Sequence, residues 1–293
     1  MTPGDQHCRL LAMMTVVPDL PAIREAFAVE SSRVAQRVRA ADRLDTPVPG
    51  LAWTVGQVTA HLCTVYQSFA ATMRGEFAAT ALDDVIAPGR TLPETVAAAN
   101  AFAVSLIEYK GQAEAADALA AAAAELIEVL GKEPDPLVSC PAPWYGPGRT
   151  RTVGTLASLA VSETLVHGHD LARAVGRRAL PNVEAAVLVA PTVMSEMLPL
   201  LLDADRAHGF RGSFEIRVRG GAAFVLRISD GQVRTAPVDG QDVDCVVSMN
   251  ACSALMIGYA RQSVGHAVLT GRTLAFGRKP WLGLQMRGLF LTP

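Results

Sequence analysis

Glu163 and His167 stand four residues apart in the stretch S-E-T-L-V-H, and His61 stands far upstream in a separate apolar stripe. On a helix, positions i and i+4 share a face. Leu156, Ala160 and Leu171 fall on that same face, so Glu163 and His167 are expected to point inward. His61, between Val58 and Val65, is expected to do likewise. Buried carboxylates and imidazoles are costly unless they are paired or bound to metal. Two imidazoles and one carboxylate aimed inward from two helices suit a tetrahedral Zn²⁺ with one open position, and other divalent ions as well. The same residues also fit a buried Glu–His pair beside a satisfied core histidine. Asp170, three residues after His167, either orients a ligand imidazole or pairs with Arg173 at the surface. His169 leaves the ligand face and is expected beside the site or at the surface, not as a fourth ligand.

The elements that must position these groups are helical up to about Gly176. Asp19 is placed to cap a helix carrying Ile23, Phe27, Val34 and Val38, which Pro47, Pro49 and Gly50 interrupt. Thr54 and Gln57 form a T-x-x-Q capping box, with Trp53 able to staple onto Val58. The stripe of that second helix reads Val58, Leu62, Val65, Phe69. An Ala-rich stretch from Pro93 to Leu130 is helical by propensity, with a break expected at Gly111. Pro134, Pro136, Pro141, Pro143 and Pro147 make residues 131–148 a loop, in which Trp144, Tyr145 and Arg149 form either a lid or an ordinary surface. A last helix runs from Thr152 to Gly176. If the two ligand-bearing helices began at the same end, His61 would lie about 6 Å shallower than Glu163, and the helices would need an offset.

From Gly212 the period changes to two. Phe214, Ile216 and Val218 alternate with polar residues, and Gly220-Gly221 and Asp230-Gly231 mark hairpin turns. A strand at Cys245–Met249, a helical piece at Ala251–Tyr259 and a helical run at Pro280–Phe290 follow. Pro181–His208 reads as helix. The expectation is a two-domain α+β chain, divided as residues 15–178 and 179–293, with a mainly antiparallel sheet in the second part.

Composition narrows the partners. The chain has 293 residues, 50% hydrophobic and 18% charged, enough for two packed cores. Its net charge of -2 lacks the basic excess that nucleic-acid binding needs. Of 26 basic residues only Lys110, Lys132 and Lys279 are lysines, a bias that fits a GC-rich genome. Cys8, Cys63, Cys140, Cys245 and Cys252 are scattered and odd in number, which argues for a reducing cytoplasm over a disulfide framework. Cys63 reads as a small core residue. The apolar run Leu10–Val17 is shorter than a membrane span, so no membrane is expected, and Met13 and Met14 offer alternative starts.

W-T-V-G-Q-V-T-A-H-L (Trp53–Leu62) and S-E-T-L-V-H-G-H-D-L-A-R-A-V-G (Ser162–Gly176) resemble the two signature segments of the mycothiol-dependent maleylpyruvate isomerase family. G-H-A-V-L-T-G-R-T-L-A-F-G (Gly265–Gly277) is similar to the end of that family's second domain. The resemblance implies a DinB-like four-helix bundle followed by a small sterol-carrier-like α+β domain. It also implies His61, Glu163 and His167 as metal ligands and catalytic centre, with mycothiol as thiol cofactor. The family usually has Trp where this chain has His169.

On that resemblance a thiol activated at the metal adds to an electrophile such as maleylpyruvate, giving an isomerase or, with another electrophile, an S-transferase. The partners are then a small-molecule substrate and a low-molecular-weight thiol, and the chain is a monomer or homodimer. Arg90, Arg151 and Arg272 are candidates for a substrate carboxylate. Two other readings stay open. One is a metal-dependent hydrolase using metal-bound water. The other is a carrier with a structural metal, in which Phe214, Phe224, Val225 and Leu226 line an apolar cavity or simply form core.

Overall fold

The computed structural model describes residues 15–78, 80–87, 89–177 and 180–292. Cys8, Met13, Met14 and most of the run Leu10–Val17 lie outside them. The chain forms two compact units, one of Asp19–Ala185 and the other mainly of Ala186–Pro293.

The first unit is helical. Helix α1 (Leu20–Arg39) starts where the Asp19 carboxylate accepts from the Ala22 amide at 3.1 Å, and it carries Arg37 and Arg39 in its last turn. Helix α2 (Val55–Met73) starts at the Thr54–Gln57 capping box, with both reciprocal hydrogen bonds formed. The Ala-rich stretch divides at Gly111 into α3 (Leu92–Ser105), opened by a Thr91–Glu94 box, and α4 (Gln112–Gly131). Helix α5 (Val153–Ala174) is capped by Thr152 and buried on nearly every side, and Gly176 follows its end at φ +70°. Helices α1, α2, α4 and α5 pack as a bundle, with α3 beside α2.

Two expectations change here. The inner stripe of α2 runs through Tyr66, not Val65. Tyr66 is fully buried, its ring meets Phe27 edge-on at 4.8 Å, and its hydroxyl lies 2.6 Å from Thr164 Oγ1. The Pro-rich segment is not wholly irregular. Strand β1 (Ser139–Pro141) pairs antiparallel with β2 (Thr150–Thr152), and a 3₁₀ turn covers Pro143–Tyr145. The tie that orders this hairpin is Thr72 Oγ1 donating to the Pro141 carbonyl at 2.6 Å.

The second unit contains α6 (Val183–Leu201, which begins just before it), β3 (Arg211–Arg219), β4 (Ala223–Ser229), β5 (Gln232–Pro237) and β6 (Cys245–Asn250). It continues with α7 (Ala251–Gly258), α8 (Val264–Leu269), β7 (Thr273–Phe276) and α9 (Leu282–Met286). The sheet order is β5-β4-β3-β6-β7, antiparallel except for the β3–β6 pair. Asp230 and Gly231 both take positive φ, as a two-residue hairpin turn requires. Phe214, Ile216, Phe224, Leu226, Cys245 and Val247 share one buried face. Helix α9 meets that face at Gly283, where a Cβ would fall 2.6 Å from Ala275 Cβ, so only glycine fits. Of the candidate cavity residues, Phe214, Phe224 and Leu226 are thus core, and Val225 is buried as well. Helix α8 and strand β7 were not anticipated as elements.

Helix α6 is the one described helix long and apolar enough to cross a membrane, at a mean hydropathy of 1.4, and 44% of that window is buried within the protein. The cysteines Cys63, Cys140 and Cys245 are free thiols.

Candidate metal centre

Helices α2 and α5 run antiparallel. Thr72, next to the last residue of α2, bonds to the strand paired with the one that leads into α5, whereas Trp53, before α2, lies beside His167 in the later part of α5. The depth mismatch expected for helices starting together therefore does not arise. His61 is the seventh residue of α2 and His167 the eighth from the end of α5, so the two are level.

His61 Nε2 lies 3.3 Å from Glu163 Oε2, and His167 Nε2 lies 3.2 Å from the same oxygen. The imidazoles meet edge to face with centroids 4.9 Å apart. His61 and His167 are buried and Glu163 is partly so. Each offers one donor atom, and the three lie within 4.8 Å of one another, the one such His/Cys/Asp/Glu group among the described residues. His169, half-buried, is not part of it.

His167 Nδ1 lies 3.1 Å from Asp170 Oδ2, and Asp170 is 1% exposed. A carboxylate can only accept, so Nδ1 carries the proton and a neutral His167 turns a lone pair toward Glu163 Oε2. Two lone pairs 3.2 Å apart repel unless a proton or a cation lies between them. Burial pushes the Glu163 carboxyl up, but the hydrogen bonds from His167 and then His61 outweigh it and hold it well below the carboxylate range. Burial pushes His167 down, yet Asp170 and then Glu163 raise it above its ordinary 6.5.

The donor set fits a divalent ion. Two zinc bonds of about 2.0–2.1 Å at a tetrahedral centre put their donor atoms roughly 3.3 Å apart. That is the spacing of both His–Glu pairs, and the two imidazole donors lie within 4.8 Å of each other.

Sequence reasoning missed four neighbours. Trp53, read as a helix staple, lies 5.1 Å from the His61 ring and 6.4 Å from the His167 ring, forming an aromatic wall on the pair. Its place one residue before the capping box was the available signal, once α2 and α5 are antiparallel. Arg37 Nη1 donates to the Gly168 carbonyl at 3.0 Å, beside His167. Tyr66 and Thr164 back the site through a relay that ends on the Ala160 carbonyl.

Of the Pro-rich loop residues, Trp144 stacks on Phe69 at 5.4 Å, and Tyr145 is half-buried with Arg151 5.3 Å over its ring. Burial and then the Glu163 charge push the Tyr145 phenol up, and Arg151 draws it back. Arg149, Arg90 and Arg272 are exposed.

Comparison with known proteins agrees with this architecture. The mycothiol-dependent maleylpyruvate isomerase superposes with a TM-score of 0.51 at 15% identity, covering 88% of this chain and 93% of its own. A histidine-to-alanine mutant of it gives 0.52 at 14% identity over the same shares, and at such identities the likeness establishes the fold. The UbiJ-SCP2 ubiquinone synthesis protein aligns with 33% of this chain at a TM-score of 0.25, which carries no argument. No curated protein sequence matches the chain. The profile of the mycothiol maleylpyruvate isomerase N-terminal domain matches residues 25–172, just over half of the chain. By that match, the chain belongs to the mycothiol maleylpyruvate isomerase N-terminal domain family.

Proposed function

We propose that this is a cytoplasmic metal-dependent, mycothiol-dependent enzyme, an isomerase or S-transferase acting on a small electrophile such as maleylpyruvate. The observation that carries the reading is the convergence of two imidazole Nε2 atoms on one Glu163 oxygen. His61, Glu163 and His167 would hold the ion, zinc by preference for this donor set. Bound there, a divalent ion supplies Lewis acidity and favours the thiolate form of a thiol at neutral pH. The remaining work falls to the chain's own side chains. Asp170 fixes the tautomer and orientation of His167 through Nδ1. Trp53 closes one side of the imidazole pair and keeps water from it. Residues 15–178 form the metal-binding domain in this reading, and residues 179–293 a sterol-carrier-like domain.

The test is metal analysis of the purified protein, then calorimetric titration of the zinc-loaded form with mycothiol and with glutathione. One equivalent of zinc, lost in His61→Ala and Glu163→Gln, and a preference for mycothiol are expected. Thiol turnover at full rate in metal-free protein would overturn the reading, and turnover with no thiol at all would favour the hydrolase.

A further inference from the structure

Solvent reaches the metal centre at two of its side chains. His61, His167, Asp170 and Tyr66 are each no more than 5% exposed, whereas the Glu163 side chain is 18% exposed and Trp53 is only half-buried. The Trp53 ring lies 5.1 Å from that of His61 and 6.4 Å from that of His167, and the two imidazoles lie 4.9 Å from each other. The indole is thus the open corner of a ring cluster whose other two corners are the candidate ligands. A thiol held by its sulfur at the ion is small at that end, so the rest of the molecule leaves through the mouth framed by Glu163 and Trp53. The indole stands ready for it. The Trp53 carbonyl accepts from the Val48 amide at 2.9 Å, and the next residue, Thr54, caps α2. A platform fixed before binding loses little entropy when a ligand settles on it. An indole face is broad and apolar and carries the negative side of the ring quadrupole. It therefore accepts the C–H-lined face of a sugar ring and repels a carboxylate.

Resting on the metal and thiol reading above, we propose that Trp53 sets the thiol specificity of the site. Its indole stacks on the sugar that mycothiol carries, and it favours that neutral tail over the anionic tail of a peptide thiol such as glutathione.

The experiment titrates full-length zinc-loaded protein by calorimetry with mycothiol, with glutathione and with N-acetylcysteinamide, an uncharged acylated cysteine that lacks the sugar. Trp53→Leu should weaken mycothiol by about 10-fold, the worth of one good ring contact, leave N-acetylcysteinamide unchanged and shrink the preference for mycothiol over glutathione. Trp53→Phe, which keeps a smaller ring, should weaken mycothiol by about 3-fold, again without touching N-acetylcysteinamide, and it carries the test should the leucine variant not fold. Equal weakening of mycothiol and N-acetylcysteinamide, no weakening of mycothiol, an unchanged preference over glutathione, or a wild type that binds mycothiol no better than N-acetylcysteinamide would overturn the proposal. Zinc content on the same samples tests the metal reading separately. The mycothiol titrations are repeated without zinc, so either idea can fail alone.

Discussion

Arg37 Nη1 on α1 donates to the Gly168 carbonyl of α5 at 3.0 Å, and the approach is so close that a Cβ on Gly168 would fall 2.9 Å from both Arg37 Nη1 and Val34 Cγ2. Gly168→Ala sets two effects against each other. Helix propensity favours Ala by roughly 1 kcal/mol. Overpacking costs about 1–3 kcal/mol, and the branched Val34 has little freedom to yield. The variant should be less stable in urea denaturation and should bind zinc more weakly, because the next residue toward the N-terminus is His167. A variant as stable as the parent would show that α1 and α5 separate without cost.

Asp170 is the lever on His167. Asp170→Asn should lower zinc affinity by about 10- to 100-fold, because the amide holds the Nδ1 proton less strongly and leaves Nε2 less basic. Competition against a chelator of known affinity measures this. An unchanged affinity would remove Asp170 from the site.

The pH dependence has two limbs in the metal-free protein. His167 is raised above 6.5, so its contribution is complete below that value and lost as pH climbs through the raised one. Glu163 is depressed below its ordinary 4.5, so its contribution is present above 4.5 and lost as pH falls through the depressed value. Zinc competes with the His167 proton, so its stabilising effect should grow from about pH 6 to about pH 8. Melting curves with and without zinc at both pH values give the answer, and a zinc-induced shift independent of pH would contradict it.

In the second unit, Asp244 accepts from Ser213 N and Oγ, both at 3.1 Å, and from Arg278 Nη2 and Lys279 Nζ at 2.7 and 3.0 Å. Burial pushes its carboxyl up, but these donors, led by Arg278, hold it well below the usual range. Asp244→Ala should cost roughly 1–2 kcal/mol, chiefly because it removes the acceptor of both Ser213 donors, the Arg278 and Lys279 charges being solvent-exposed. The wild type should lose the same stability as pH falls below the ordinary Asp value of 3.8, whereas the variant should not. Parallel acid unfolding curves would refute the assignment.

Much of this was legible in the sequence because it is local. The capping box at Thr54, the break at Gly111 and the turn at Asp230-Gly231 each follow from a few adjacent residues. The pairing of Glu163 and His167 on one face followed from helical spacing alone. What escaped is set by direction and packing between distant segments. Trp53 meets His167 only because α2 and α5 are antiparallel. Tyr66 displaced Val65 from the stripe because its ring fits Phe27 and its hydroxyl finds Thr164, partners that no periodicity names. The hairpin was hidden by its prolines, since Pro141 still offers a carbonyl to Thr72 although it lacks an amide to donate.

The helical unit is one uninterrupted stretch, Asp19–Ala185. The side chains of His61, Glu163 and His167 therefore emerge from the ribosome before any strand of the five-stranded sheet has done so. Domains tend to fold as units in order of their synthesis. The candidate metal site can thus be complete on a nascent chain whose remaining third is still being translated.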